Sequence, residues 1–106
     1  PITAWSVHFD PLAAEQAAWI EARTSLPLRE RITATLMLGP QPHAYRRIRR
    51  TPAGLEIGVG EWRARFAASG REIRIHDIKS GYRARDLASA GPDLAAHREL
   101  VARFGG

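Results

Sequence analysis

The sequence predicts an α+β domain, and three observations carry the prediction. Residues 55–78 place apolar side chains at alternate positions, the strand period. Residues 12–38 repeat them at helical spacing, and Gly or Pro marks most of the junctions between these segments. The resulting order is β-α-α-β-β-β-α, with helices and strands segregated along the chain.

Ile2–Phe9 alternates and is rich in β-formers, so it reads as a first strand. Asp10 and Pro11 supply an N-cap and a proline at the first helical position. Leu12 to about Arg23 then reads as a helix carrying Ala13, Ala17 and Ile20 on one face. Ser25-Leu26-Pro27 breaks it, and Leu28–Leu38 forms a second helix with Leu28, Ile32 and Leu36 in line. Gly39-Pro40 ends this helical hairpin. After a loop over Gln41–Ala44, Tyr45–Arg50 (YRRIRR) is a strand or its irregular lead-in, and Thr51–Gly54 a turn. Strands follow at 55–59, 62–67 and 72–78, joined at Gly60-Glu61 and Ser69-Gly70 into an antiparallel sheet. A break over Ser89–Pro92 precedes a closing helix, Asp93–Phe104. Trp5, Trp19 and Trp62 are expected to pack in the core or between helices and sheet.

Residues 1–106 are expected to form a single domain. The formal charge is +5, and it is uneven: residues 43–85 carry eleven Lys/Arg against four Asp/Glu, a net of +7, which leaves −2 elsewhere. Such a chain is expected to meet a polyanion. The absence of cysteine excludes disulfides and thiolate metal sites. The four histidines lack metal-binding spacing, so neither metal nor cofactor is expected. With no signal-peptide pattern and no long apolar run, the expectation is a cytoplasmic protein without membrane contact.

Within the sheet, alternation sets Arg63 and Arg65 opposite the core side, and simple antiparallel pairing adds Arg74 and His76 beside them. Like charges across a ladder repel, which points to phosphate as a ligand for this face. Arg46, Arg47, Arg49 and Arg50 are either a solvated edge that blocks strand pairing or a phosphate-backbone contact. Tyr45 beside them either caps the core or stacks on a base. Lys79 joins the candidate nucleic-acid contacts. For proton transfer the candidates are His76, whose ordinary pKa is near ~6.5, and Tyr82 in Gly81-Tyr82-Arg83. His97 receives no role.

The opening Trp5-x-Val7-x-Phe9 strand, the helical hairpin, the basic segment, Gly58-Val59-Gly60-Glu61-Trp62-Arg63-Ala64-Arg65-Phe66 and Gly81-Tyr82-Arg83 occur in an order that resembles the RelE/ParE superfamily of toxins from bacterial type II toxin–antitoxin operons. The likeness spans nearly the whole chain in element order and concentrates at Val59–Phe66 in residue identity. It implies one of two activities: ribosome-dependent mRNA cleavage, or inhibition of DNA gyrase without nuclease chemistry. It also implies a cognate antitoxin as partner, with ribosome and mRNA as the target under the first activity and gyrase under the second. Arg63 matches the arginine that ends the Gly-acid-aromatic-Arg motif, Arg83 the arginine after the following strand, and Arg46–Arg50 the basic segment. The chain departs from the pattern at Gly58, where many relatives carry arginine, and at its C-terminus, where Phe104-Gly105-Gly106 stands in place of a terminal His or Tyr. A nucleic-acid-binding domain without toxicity is the remaining reading.

Overall fold

The computed structural model describes residues 4–89, 91 and 94–105. Five strands make one sheet, and the helices cover one of its faces. The strands are β1 (Ser6–Phe9), β2 (Ile48–Thr51), β3 (Gly54–Val59), β4 (Trp62–Ser69) and β5 (Glu72–Ser80), in the spatial order β1-β5-β4-β3-β2. β2 to β5 are antiparallel as expected, and β1 adds to β5 in parallel, Ser6 opposite Glu72 and Phe9 opposite Ile75. The sequence places β1 but does not say which edge it joins.

The helices are α1 (Pro11–Thr24), α2 (Leu28–Leu36), α3 (Ala84–Ser89) and α4 (Ala95–Phe104). α1 buries Ala13, Ala17 and Ile20, and α2 buries Leu28, Ile32 and Leu36, against Ile57, Trp62, Ala64, Phe66, Ile73 and Ile75 of the sheet. Burying a Leu or Ile side chain is worth roughly 1.5–3 kcal/mol relative to leaving it exposed. This side of the sheet therefore holds the fold, and the opposite side is free to carry charge.

Several local expectations need correction. Tyr45–Arg50 is split: Ala44–Arg46 is a 3₁₀ turn, Arg47 is left-handed (φ +59°), and only Ile48 onward is strand. The helix α3 was not expected; ARDLAS is a six-residue segment with one buried apolar side chain, Leu87, too short for a periodicity to register. The expected start of the last helix at Asp93 lies outside the described residues. Asp10 has the extended backbone of an N-cap, but its carboxylate does not cap α1. It bonds instead to Arg74 and His76.

The largest difference is a bulge in β5. Phe66 pairs with Ile75, while the next residue back, Arg65, pairs with Asp77, so His76 has no partner in β4. The bulge keeps both Ile75 and Ile78 on the core side. Past the end of β1, the backbone N–H of Ile78 is satisfied by Oε1 of the buried Gln16, at 2.7 Å.

Candidate anion-binding furrow

The open face of the sheet carries two cross-strand rows of charged side chains. In the first row Arg49 faces Glu56, Glu56 faces Arg65, and Arg65 faces Asp77, so the signs alternate across β2-β3-β4-β5. Arg49 Nε donates to Glu56 Oε1 at 3.0 Å. Arg65 grips Asp77 through two hydrogen bonds, Nε to Oδ1 at 2.9 Å and Nη2 to Oδ2 at 2.6 Å. That bond to Asp77, and then the carboxylate's charge, raise the Arg65 pKa. Glu56, with a side chain only 4% exposed, is the buried centre of this row.

The second row lies two residues along. Gly58 faces Arg63, and Arg63 faces Lys79. Arg47 sits beyond Gly58, whose N–H donates to the Arg47 carbonyl at 2.9 Å. This row contains three cations and no acid. Arg47 Nη2 and Arg63 Nη1 each donate to the Gly60 carbonyl at 3.0 Å, and Arg63 Nη1 also reaches the Trp62 carbonyl. Among the described residues neither guanidinium comes within ion-pair distance of a carboxylate, and Lys79 Nζ is 3.9 Å from Glu56 Oε2. Partial burial and, next, the Arg47 charge push the Arg63 pKa below its ordinary value. Arginine still stays protonated at neutral pH.

Two glycines give the Arg63 guanidinium its place. A Cβ on Gly58 would stand 3.1 Å from Arg47 Nη2 and 3.2 Å from Arg63 Nη1, and a Cβ on Gly81 would stand 2.9 Å from Arg63 Cζ. Around this point runs a furrow made of three adjoining hollows of about 400, 520 and 320 Å³. Arg47 and Gly58 line both the first and the second; Arg63 and Gly81 line both the second and the third, which ends at Tyr82 and Arg83.

The eleven residues singled out in the sequence therefore separate. Arg47, Arg49, Arg63, Lys79, Tyr82 and Arg83 line the furrow. Arg65 shares the face but is held by Asp77. Arg46 lines the first hollow, with its guanidinium donating to the carbonyls of Thr35 at 2.5 Å and Gly39 at 2.7 Å, where it closes the end of α2. Arg50 alternates to the other side of the sheet from Arg49. Arg74 is not beside Arg63: it pairs with Ala67, and its Nη1 bonds Asp10 at 3.0 Å. His76 is also displaced, with Nδ1 3.0 Å from Asp10 Oδ2. These two bonds, His76 first, hold the Asp10 carboxyl below its ordinary pKa.

His97, given no role from the sequence, anchors the furrow from below. It is 2% exposed and stacks on Trp62 with ring centroids 4.0 Å apart. Its Nδ1 lies 2.6 Å from Ser80 Oγ and its Nε2 3.2 Å from Glu61 Oε2. Ser80 Oγ also accepts the Tyr82 N–H. The Glu61 carboxylate can only accept, so Nε2–H donates to it, and in the neutral ring Nδ1 then accepts the Ser80 hydroxyl proton. Tyr82 donates its phenolic proton to Glu61 Oε1 at 2.5 Å. Glu61 is held below its ordinary pKa by Tyr82 first and His97 second. The sequence did hold a signal: His97 precedes Leu100 by three residues and shares its buried helical face.

No group of His, Asp or Glu among the described residues is placed to hold a metal ion. No described helix is long and apolar enough to cross a membrane. No family model, no curated protein sequence and no solved structure matches the chain.

Proposed function

We propose that this protein is the toxin of a type II toxin–antitoxin pair, a metal-independent, ribosome-dependent mRNA endonuclease that stops translation in the cytoplasm. The observation that carries the reading is the convergence of the Arg47 and Arg63 guanidiniums, without a carboxylate, on Gly58 and the Gly60 carbonyl. Two unit charges about 5 Å apart repel by roughly 0.8 kcal/mol in water and roughly 3 kcal/mol at an effective dielectric of about 20. A phosphate between them turns that cost into attraction. Arg63 also ends the Gly60-Glu61-Trp62-Arg63 motif on which the resemblance rests. At Gly58, where many relatives carry arginine, the Arg47 guanidinium stands over the vacant position and supplies the charge from the neighbouring segment.

In this mechanism a ribose 2′-hydroxyl attacks the adjacent phosphorus, a 2′,3′-cyclic phosphate forms, and the bond to the 5′ oxygen breaks. Arg63 and Arg47 stabilise the charge that builds on the phosphorane oxygens. Tyr82, oriented by Glu61, is the proton carrier nearest this row. The acidic segment of an antitoxin would silence the protein by covering the same furrow.

A second reading, gyrase inhibition without nuclease chemistry, draws support from His76: its ring is tied to Asp10 outside the furrow, which leaves Tyr82 as the only sequence-nominated proton carrier there. Induction of the chain alone separates the two. Growth arrest with falling translation and cut mRNA is expected; arrest with altered DNA supercoiling and intact mRNA favours the second reading. Normal growth at high soluble expression overturns both.

A further inference from the structure

The phosphate row continues into a hollow of different chemistry. The first hollow, about 400 Å³, is lined by Leu38, Tyr45, Ala34 and Arg31 as well as by Arg47 and Gly58. Tyr45 is 91% exposed and Leu38 75% exposed, the two most exposed large apolar side chains among the described residues. Tyr45 therefore does not cap the core. Its backbone is fixed, because its N–H donates to His43 Nδ1 at 3.1 Å and the flanking 3₁₀ turn closes through Arg47 N–H to the Ala44 carbonyl. The ring stands exposed, with the His43 ring edge-on to it at a centroid distance of 6.5 Å.

We infer that Leu38 and Tyr45 form a nucleobase subsite, in which one unstacked base of a single-stranded RNA lies on the Tyr45 ring while its adjoining phosphate is held by Arg47 and Arg63. This rests on the phosphate reading of the furrow and adds where the neighbouring base goes. Charge complementarity selects the occupant: no acid lines this hollow, and the hollow it adjoins sets Arg47, Arg49 and Arg63 against one carboxylate, Glu56. Arg31 lines it too and suits the next phosphate. Size selects as well. One ring and one Leu side chain offer apolar area for a single base, whereas a docked amphipathic helix needs a stripe of anchors at successive turns. Stacking on an aromatic ring is tolerant of base identity, so this subsite gives affinity and register more than sequence choice.

The test uses two probes of equal charge: a 2′-O-methyl hexauridylate, which cannot be cut through its 2′ oxygen, and the same sugar-phosphate chain without bases. Binding is followed by anisotropy over a salt series. Tyr45→Ala is expected to weaken hexauridylate binding about tenfold or more, since stacking is worth roughly 1–3 kcal/mol per base, and to leave the abasic chain unaffected. Tyr45→Phe keeps the ring and should keep the affinity, and Leu38→Ala should lose less than Tyr45→Ala. Arg47→Ala should weaken both probes and lower the salt slope by about one. If wild-type protein binds the two probes equally, or Tyr45→Ala changes neither, the base subsite is wrong and the phosphate row stands. If it binds neither probe, the phosphate reading fails and the subsite with it. Loss of an antitoxin's binding in Tyr45→Ala, with hexauridylate binding intact, also overturns the subsite and gives the hollow to a protein.

Discussion

Arg63 and Arg65 lie two residues apart on the same face of one strand, and their environments are opposite. Arg65 is clamped by Asp77 and its pKa is raised; Arg63 hydrogen-bonds carbonyl oxygens, and partial burial and then the Arg47 charge lower its pKa. The register makes this difference. Glu56 and Asp77 flank Arg65, whereas Gly58 and Lys79 flank Arg63. One row is closed on itself and contributes to the sheet. The other carries an excess of positive charge, with Glu56 beside Lys79 as its near carboxylate, and a bound anion would offset that excess. An arginine's type and exposure therefore say less about its role than the residues opposite it.

The sharpest way to break the comparison is to truncate each arginine in turn. Arg63→Ala should remove toxicity and RNA cutting, because losing one such donor costs roughly 3–4 kcal/mol of transition-state stabilisation. Stability should hold or rise slightly, as Arg47 loses its like-charged neighbour. Arg65→Ala should do the reverse: full toxicity, with stability lower by up to about 1 kcal/mol, the worth of a partly exposed ion pair. Thermal melts alongside growth curves read both quantities. Equal functional loss in the two variants would mean that the rows are not distinct.

Next in size is the anchor beneath the open row. His97→Ala removes the ring stacked on Trp62 and leaves Ser80 and Glu61 without their shared partner. A loss of about 2–3 kcal/mol is expected, typical of a buried side chain whose hydrogen bonds and packing disappear together. Denaturant unfolding measures it. A change under 0.5 kcal/mol would show that the Glu61 turn is held by the strand pairing alone.

Much of the closed row was within reach of the sequence, and the reason it was not read is specific. A two-residue turn at Gly60-Glu61 sets Glu56 opposite Arg65, as observed. A turn at Ser69-Gly70, as the sequence suggests, would set Arg74 opposite Arg65; Ser69 instead pairs with Glu72, so the turn is Gly70-Arg71, and continued without a break it would set His76 opposite Arg65 and Ile78 opposite Arg63. The bulge moves Asp77 and Lys79 into those places. Its trace is in the spacing Ile73, Ile75, Ile78: a step of three in a period-two strand keeps every isoleucine inside only if one residue is extra. The outward direction of Arg63 and the α+β class needed only periodicity and were legible. The placement of Arg47 was not, because a non-glycine left-handed residue leaves no local pattern, and its partner Gly58 lies eleven residues further along the chain on another strand.

A smaller effect tests what that left-handed residue is for. A non-glycine residue in this region costs about 1–2 kcal/mol per residue, and glycine occupies it freely at the expense of about 0.5–1 kcal/mol of chain entropy. Arg47→Gly should leave stability unchanged or raise it by about 1 kcal/mol, while weakening binding of the hexauridylate probe. Strain retained at the open row and absent from the closed one would then be tied to ligand binding. A destabilised Arg47→Gly protein would instead make the Arg47 side chain part of the scaffold.

The smallest expected effect concerns acid. Glu61 is ionised more readily in the folded chain than its ordinary value of 4.5 would allow, through its bonds to Tyr82 and His97. The unfolded chain therefore takes up this proton at higher pH than the folded one, so the stabilisation is present above about pH 4.5 and disappears as pH falls through the lowered value. Asp10, lowered from 3.8 by His76 and Arg74, acts in the same direction at the other end of β5. Glu61→Gln should flatten the acid limb of the stability–pH curve below about pH 4.5 and leave the Asp10 contribution in place. The carboxylate is more than half exposed, so the change should be a modest loss of slope, best seen at low salt. An acid limb identical to wild type would show that the Tyr82 and His97 bonds do not favour the charged form of Glu61.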